Sequence, residues 1–395
     1  MSKKLILKKH SNNSFFKKSN KVPFFLPYID KNDINVVKNA LNSTILTNGP
    51  KLEQFEDSFK KLTKSKFAIG VSNATASLHL SLKAIGIKPG DEVIVPDLTF
   101  VASANSILLA GGTPVIVDVD NSMDISIKSI KKSITKKTKA IMPVHFAGLS
   151  CQMDEIKDMA NSNSLKIIED CAHAIGTKFR SQHVGTFGDA GCFSFYPTKN
   201  ISTIEGGMII TNNPKIAKYA YLSRNHGITR TLMNRYSKGK PWEYDIEIPG
   251  YNYRLDEIRS ALGISQLKKL KLLNQKRKNA FIYYNNALSE IPGLITPSGT
   301  NFKDHSCHLY IIRILENAKV NRDKLYDLLL KKGIVTSVHY KPLHTFTIFK
   351  KNAIIKDKLI TSKNLFREIL SLPLFPNIKK SEQDLVIKTI KEYLS

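Results

Sequence analysis

The chain has little cysteine, little acid relative to base, and no long apolar run. Four cysteines in 395 residues (Cys151, Cys171, Cys192 and Cys307) show no CxxC spacing, which argues against a zinc or redox motif and against a disulfide framework. They read as buried free thiols in a reducing compartment. No segment approaches the roughly 20 apolar residues of a membrane helix. The N-terminal lysines are followed by no apolar core and no small-residue cleavage site, so neither a signal peptide nor a membrane partner is expected, and a cytoplasmic location is. Acidic residues number 33 against 60 lysines and arginines, a formal net charge of +27. Such a balance invites a nucleic-acid reading. The excess is nearly all lysine, however, scattered along the chain, and Lys268, Lys269, Lys271, Lys276 and Lys278 read as the solvated face of a helix. No RNP, zinc-finger or helix-turn-helix pattern accompanies it, so nucleic acid is not expected as the main ligand. A basic surface also suits an anionic nucleotide substrate.

Length predicts one large and one small domain. Residues 1–24 read as a flexible basic lead-in. A helical pattern then places Ile34, Val37 and Leu41 on one face and stops at Thr47-Asn48-Gly49-Pro50. Strand-like runs at 67–71, 92–95, 114–117, 140–144, 165–168 and 191–195 alternate with helical patterns at 74–85 and 101–109. This alternation predicts an α/β fold with a mostly parallel sheet over 25–255, with ligands bound beyond the carboxyl ends of its strands. From Leu255 the periodicity becomes that of a long connecting helix reaching about residue 287. Strand-like pieces at 309–314 and 335–340 and helices at 322–332 and 382–394 follow, predicting a smaller α+β domain over 256–395.

Two short stretches carry the chemistry. Ile167-Ile168-Glu169-Asp170 ends an apolar run in a carboxylate, and Phe193-Ser194-Phe195-Tyr196-Pro197-Thr198-Lys199 ends one in a lone lysine. An acid and an amine so placed suit pyridoxal phosphate: the lysine joins the cofactor aldehyde, and the aspartate keeps the pyridine nitrogen protonated. Asp170 is alternatively a buried acid satisfied by backbone donors, and Lys199 one more surface lysine. Strand alternation turns Glu169 to the opposite face from Asp170. Ser72-Asn73-Ala74-Thr75, between a strand and a helix, is either an ordinary N-cap or a phosphate cradle. Ser194, on the same side as Tyr196, is a candidate phosphate donor. Phe100 either stacks on a flat ring or packs in the core, and His173 is either a satisfied core histidine or a neighbour of the cofactor.

These residues, taken with Gly90-Asp91-Glu92-Val93-Ile94-Val95-Pro96, Thr99-Phe100, Pro143-Val144-His145, Glu205-Gly206-Gly207, His226-Gly227, Gly250-Tyr251-Asn252-Tyr253-Arg254, Ala261-Leu262-Gly263, Gln266-Leu267, His339-Tyr340 and Pro342-Leu343-His344, form an ordered series. The series resembles the DegT/DnrJ/EryC1/StrS family of sugar aminotransferases, from about residue 25 to the end. The resemblance implies a fold type I enzyme with a seven-stranded type of sheet, pyridoxal 5′-phosphate as cofactor, and a homodimer with shared active sites. Lys199 would be the lysine that joins the cofactor and Asp170 the partner of its ring nitrogen. Ala74, Thr75 and Ser194 would bind phosphate, helped by Asn252 from the neighbouring subunit, while Phe100 and His173 would lie at the ring. Arg254, His339, Tyr340, Thr47 and Glu205 would lie on the substrate side. The implied activity moves the amino group of L-glutamate onto a keto-deoxy nucleotide sugar for amino-sugar or glycan biosynthesis, without a metal. A dehydratase or lyase of the same fold is one alternative; relatives that become dehydratases replace the lysine by histidine, and Lys199 is present here. A non-catalytic basic binding protein is the other. One position departs from the family pattern: Ile204 stands where Gly or Ala is usual, which predicts an altered loop shape after Lys199.

Overall fold

The computed structural model describes residues 21–229, 240–297 and 304–395. Its strands are β1 (Phe67–Val71), β2 (Glu92–Pro96), β3 (Thr113–Val117), β4 (Thr138–Ile141), β5 (Lys166–Asp170), β6 (Lys178–Phe179), β7 (Gln182–His183), β8 (Ala190–Ser194), β9 (Gly207–Thr211), β10 (Leu294–Ile295), β11 (Tyr310–Ile314), β12 (Ile354–Ile355) and β13 (Ile369–Leu372). The large sheet runs β1-β9-β8-β5-β4-β2-β3-β12. Every neighbouring pair is parallel except those of β9, which is antiparallel to both β1 and β8. Seven of these strands form the expected α/β sheet; the two-residue β12 adds an eighth at the edge, beside β3.

Both faces of the sheet are covered, which is why its strands are continuous β-branched runs. Val93, Val95 and Ile116 pack on one side with Leu78, Leu82, Ile107 and Ile216 from the helices Ala74–Ala84, Val101–Ala110 and Pro214–Ser223. Ile94, Val115, Val117 and Ile141 pack on the other with Ile130 and Ile156 from Ile127–Ser133 and Met153–Ser162.

The helix Glu257–Leu288, capped by Asp256 accepting from the Arg259 amide, leads to the antiparallel sheet β10-β11-β13. Around that sheet the helices Arg322–Lys331 and Lys380–Leu394 bury Leu325, Leu329, Val386 and Ile390 against Tyr284, Tyr310 and Leu370. Several local expectations change. Residues 335–340 form no strand: Ser337 exchanges one pair of backbone bonds with Ser371, and the chain then leaves toward the large sheet through Pro342, which has no N–H for a ladder. β9 was not expected, because its Gly-Met-Ile-Ile-Thr run follows a strand with no helix between them.

The lead-in lies outside the described residues up to position 20, but its last residues are packed. Val22 pairs with Ile334 and is fully buried, and Phe24 stacks on His339. In the helix Lys31–Leu41 the apolar face is outward, with Ile34 and Leu41 more than half exposed; buried Asp33 holds the helix to Ser265, Gln266 and Lys269. Lys269 therefore leaves the solvated set, and is only 16% exposed at its side chain.

Candidate active site

The carboxyl ends of β5 and β8 and the start of β9 meet at one edge of the large sheet. Asp170 closes β5, where its amide donates to the Pro143 carbonyl and its own carbonyl accepts from the His145 amide. Its carboxylate is buried and accepts from Ser103 Oγ at 2.7 Å and from the Ala172 amide at 3.1 Å. Burial pushes its pKa up, against the pull of these two donors and of the Lys199 and His145 charges. Both of its oxygens retain acceptor capacity, which suits a cationic ring nitrogen. Glu169 does face the other way. It accepts from the Gly185, Phe187 and Gly188 amides and bonds His145 Nε2, a closed structural set.

Lys199 lies in the turn after β8, its amide donating to the Tyr196 carbonyl. Its side chain lines a small cavity of about 40 Å³ with Phe24, His308, His339 and Tyr340. Its amine makes no hydrogen bond among the described residues. Burial lowers its pKa to about 8, while the Asp170 charge opposes the shift. The next residue, Asn200, is pinned: its Nδ2 donates to Asn274 Oδ1 at 2.8 Å and to the Ser306 carbonyl at 2.7 Å, and its Oδ1 accepts from His308 Nδ1 at 2.9 Å.

On the opposite side, Asn73 caps the helix Ala74–Ala84 by accepting from the Ala76 amide. The Ala74 and Thr75 amides have no acceptor among the described residues. Gly207 pairs with Val71 on one side and Ser194 on the other, and a Cβ there would stand 2.4 Å from the Asn73 carbonyl oxygen. The glycine thus lets β9 start directly behind the cradle. Free amides at a helix N-terminus, with Ser194 beside them, suit a phosphate.

Aromatic groups gather around Tyr340, which lines the same cavity as Lys199. Phe100 is 55% exposed, so core packing is not its role, and its ring lies 5.7 Å from that of Tyr340. His173 packs between His308 and Tyr340 and bonds Tyr340 Oη at 3.0 Å. Burial and the Lys199 charge hold His173 well below the usual histidine range, and burial lowers His339 to about 3.

The structure therefore brings Lys199, Asp170, Phe100, His173, His339 and Tyr340 to one place, with Ala74, Thr75 and Ser194 on the same sheet edge. Four others make no side-chain hydrogen bond or ring contact with these groups among the described residues, although the Arg254 backbone pairs with Val71 and the Tyr253 carbonyl accepts from the Ser72 amide at 2.8 Å. Asn252 is exposed and its side chain bonds none of these groups. Arg254 donates to Asn225 Oδ1 at 2.8 Å, Thr47 pairs with Asp256, and Glu205 is exposed. Ile204 is 64% exposed at φ +70°, at the tip of a turn closed by Glu205 N–H on the Thr203 carbonyl. That backbone conformation is unusual for a β-branched residue. Sequence reasoning missed Ser103, Asn200 and His308 as supports. Only Asn200, adjacent to the lysine, carried a local signal.

The DegT/DnrJ/EryC1/StrS aminotransferase family model matches residues 27–391. The spore coat polysaccharide biosynthesis protein SpsC of Bacillus subtilis is 39% identical over 380 residues, covering 95% of this chain and 98% of that protein. Among solved structures, Helicobacter pylori PseC, an aminotransferase involved in the biosynthesis of pseudoaminic acid, superposes with a TM-score of 0.87 at 30% identity, over 94% of this chain and 99% of that one. The sugar aminotransferase Spr1654 of Streptococcus pneumoniae, described as putative, superposes in its PLP-form with a TM-score of 0.86 at 30% identity, over 95% and 98% of the two chains. The cofactor is pyridoxal 5′-phosphate, and the cradle, acid and amine fit its phosphate, ring nitrogen and aldehyde. The chain belongs to the DegT/DnrJ/EryC1/StrS aminotransferase family, the sugar aminotransferases.

Proposed function

We propose that this aminotransferase moves the amino group of L-glutamate onto a keto-deoxy sugar carried on a nucleotide, and works in the cytoplasm as a homodimer with shared sites. The observation that carries the reading is Lys199: an amine with no hydrogen-bond partner among the described residues, with its pKa lowered to about 8, beside a buried carboxylate at the end of the neighbouring strand. A lysine kept protonated on the surface would do neither task asked of it, attack or proton transfer.

When bound, pyridoxal phosphate supplies an aldehyde for amines and a ring that delocalises negative charge. Asp170 holds the proton at the ring nitrogen, and Ser103 and the Ala172 amide orient its carboxylate. Ala74, Thr75 and Ser194 bind the phosphate, joined by Asn252 of the partner subunit. Phe100 and His173 flank the ring. Lys199 Nζ takes the proton from the carbon bearing the donor amino group and returns it one position away, as base and then acid. Arg254, Thr47, Glu205, His339 and Tyr340 face the nucleotide sugar, and Ile204 shapes the loop beside it. The sugar side of the reading is supported by the relatives, whose names refer to polysaccharide and pseudoaminic acid biosynthesis. Lys199, where dehydratase relatives carry histidine, favours amino transfer over dehydration.

The test is a half-reaction. L-Glutamate added to cofactor-loaded protein should release 2-oxoglutarate and convert the cofactor to its amino form, and Lys199→Ala should do neither. Unaltered protein that binds the cofactor yet yields no 2-oxoglutarate would refute glutamate as donor. A panel of nucleotide keto sugars then identifies the acceptor.

A further inference from the structure

The hydrogen bonds around His173 specify where a proton sits, and the consequence reaches Tyr340. The Ala147 amide donates to His173 Nδ1 at 3.3 Å, so that nitrogen carries a lone pair. Ala147 holds φ at +53°, a left-handed conformation uncommon outside glycine, and its carbonyl accepts from the His308 and Leu309 amides at 3.0 and 3.2 Å. Ala147 is thus held on both sides, by its N–H and by its carbonyl, in a conformation that aims the N–H at the ring. Burial first, and then the Lys199 charge, oppose protonation of His173, which favours its neutral form. Its one ring proton is therefore on Nε2, which donates to Tyr340 Oη at 3.0 Å.

The phenol accepts that bond, so its own proton points elsewhere. Among the described residues no group accepts it. Burial and the nearby Asp170 charge push the Tyr340 pKa up, so the proton stays. Its ring is set by Phe100 at 5.7 Å, Phe146 at 6.1 Å and His173 at 6.0 Å, on the wall of the cavity that Lys199 lines. We propose that Tyr340 is a dedicated hydrogen-bond donor to an anionic oxygen bound beside Lys199, and that His173 is the residue that positions it. The inference rests on this being the aminotransferase site proposed above. Two ligand oxygens share the required chemistry: the phenolate of the cofactor ring and the carboxylate of the amino donor.

The experiment distinguishes them on cofactor-loaded protein. In Tyr340→Phe, loss of a donor to the ring phenolate makes the neighbouring lysine–cofactor nitrogen harder to deprotonate, so the pH midpoint of the visible absorbance rises by about one to two units. If the carboxylate is the acceptor, the midpoint stays and glutamate binding in the half-reaction weakens roughly 10- to 100-fold. A Tyr340→Phe protein that shows neither the raised midpoint nor the weakened glutamate binding overturns the proposal. His173→Leu should move the same readout as Tyr340→Phe, in part, and His173→Gln, which keeps an acceptor and a donor on the side chain, should move it less than His173→Leu does. Nitrogen NMR of labelled histidine in the unaltered, loaded protein decides independently of any variant: His173 should be the neutral Nε2–H form from pH 6 to 9, and an Nδ1–H or protonated ring overturns the proposal. Neither the absorbance titration nor the NMR needs turnover. If the unaltered protein is inert to glutamate but Tyr340→Phe shows the midpoint shift, the assigned donor is refuted and the role of Tyr340 stands.

Discussion

Lys199 carries a charge that its surroundings resist. With its pKa lowered to about 8 by burial, the folded chain gives up that proton more readily than the unfolded chain, whose lysine titrates near 10.5. The cost to stability is complete below pH 8 and fades as the pH rises toward 10.5, the sign expected when the unfolded state binds more protons. Allowing for partial exposure, it amounts to about 1–3 kcal/mol. Lys199→Met, which keeps the apolar stem, should therefore stabilise the cofactor-free protein at pH 7, with the gain shrinking above pH 9; urea titrations across that range measure it. Ile204 presents a second local cost. A left-handed conformation costs a branched residue about 1–2 kcal/mol, and glycine there would return some of that through its own entropy, about 0.5–1 kcal/mol. Ile204→Gly should leave the protein as stable or up to about 1 kcal/mol more stable, and the panel of keto sugars should show whether relaxing the loop beside Lys199 changes acceptor choice.

At the scale of elements, the start of the helix Pro50–Thr63 depends on one carboxylate. Glu257, buried in the first turn of the long helix, accepts from the Gly49, Lys51 and Leu52 amides at 3.0, 2.7 and 3.0 Å. It satisfies the open N-terminus of the helix Pro50–Thr63, whose cap residue Gly49 has no side chain to do so. Glu257→Ala leaves these donors buried and unmet, and should cost about 2–4 kcal/mol in urea denaturation. The helices and most strands were legible because apolar spacing along contiguous residues reports local backbone form. Less legible was β9: it is antiparallel between β1 and β8, and a Gly-Gly start reads locally as a turn. The segment 335–340 has strand-like residues yet pairs at one point, because its exit toward the large sheet is a tertiary demand.

At the scale of the molecule, some of the expected site residues make no side-chain contact with the others within one chain. Asn252 and Glu205 are exposed, and Ile34, Leu41, Leu109 and Trp242 leave large apolar side chains in solvent. The homodimer proposed above would account for both observations. If the sites are shared, Lys199→Ala and Asn252→Ala proteins, each inactive alone, should recover activity when mixed under conditions that exchange subunits, since hybrids contain one intact site. Separately assembled sites would give no recovery.

By itself the sequence determined the α/β alternation, the acid at the end of one strand and the amine after another, and the ordered motifs of the family. All of these lie in short contiguous stretches, where side-chain period and turn residues reflect local geometry. Only the tertiary structure decided what holds the two groups in place. Ser103 meets Asp170 across 67 positions, His308 meets Asn200 across 108, and Tyr340 meets His173 across 167. No local period encodes such pairings: they arise where the crossovers of the large sheet and the returning C-terminal segment converge on one sheet edge.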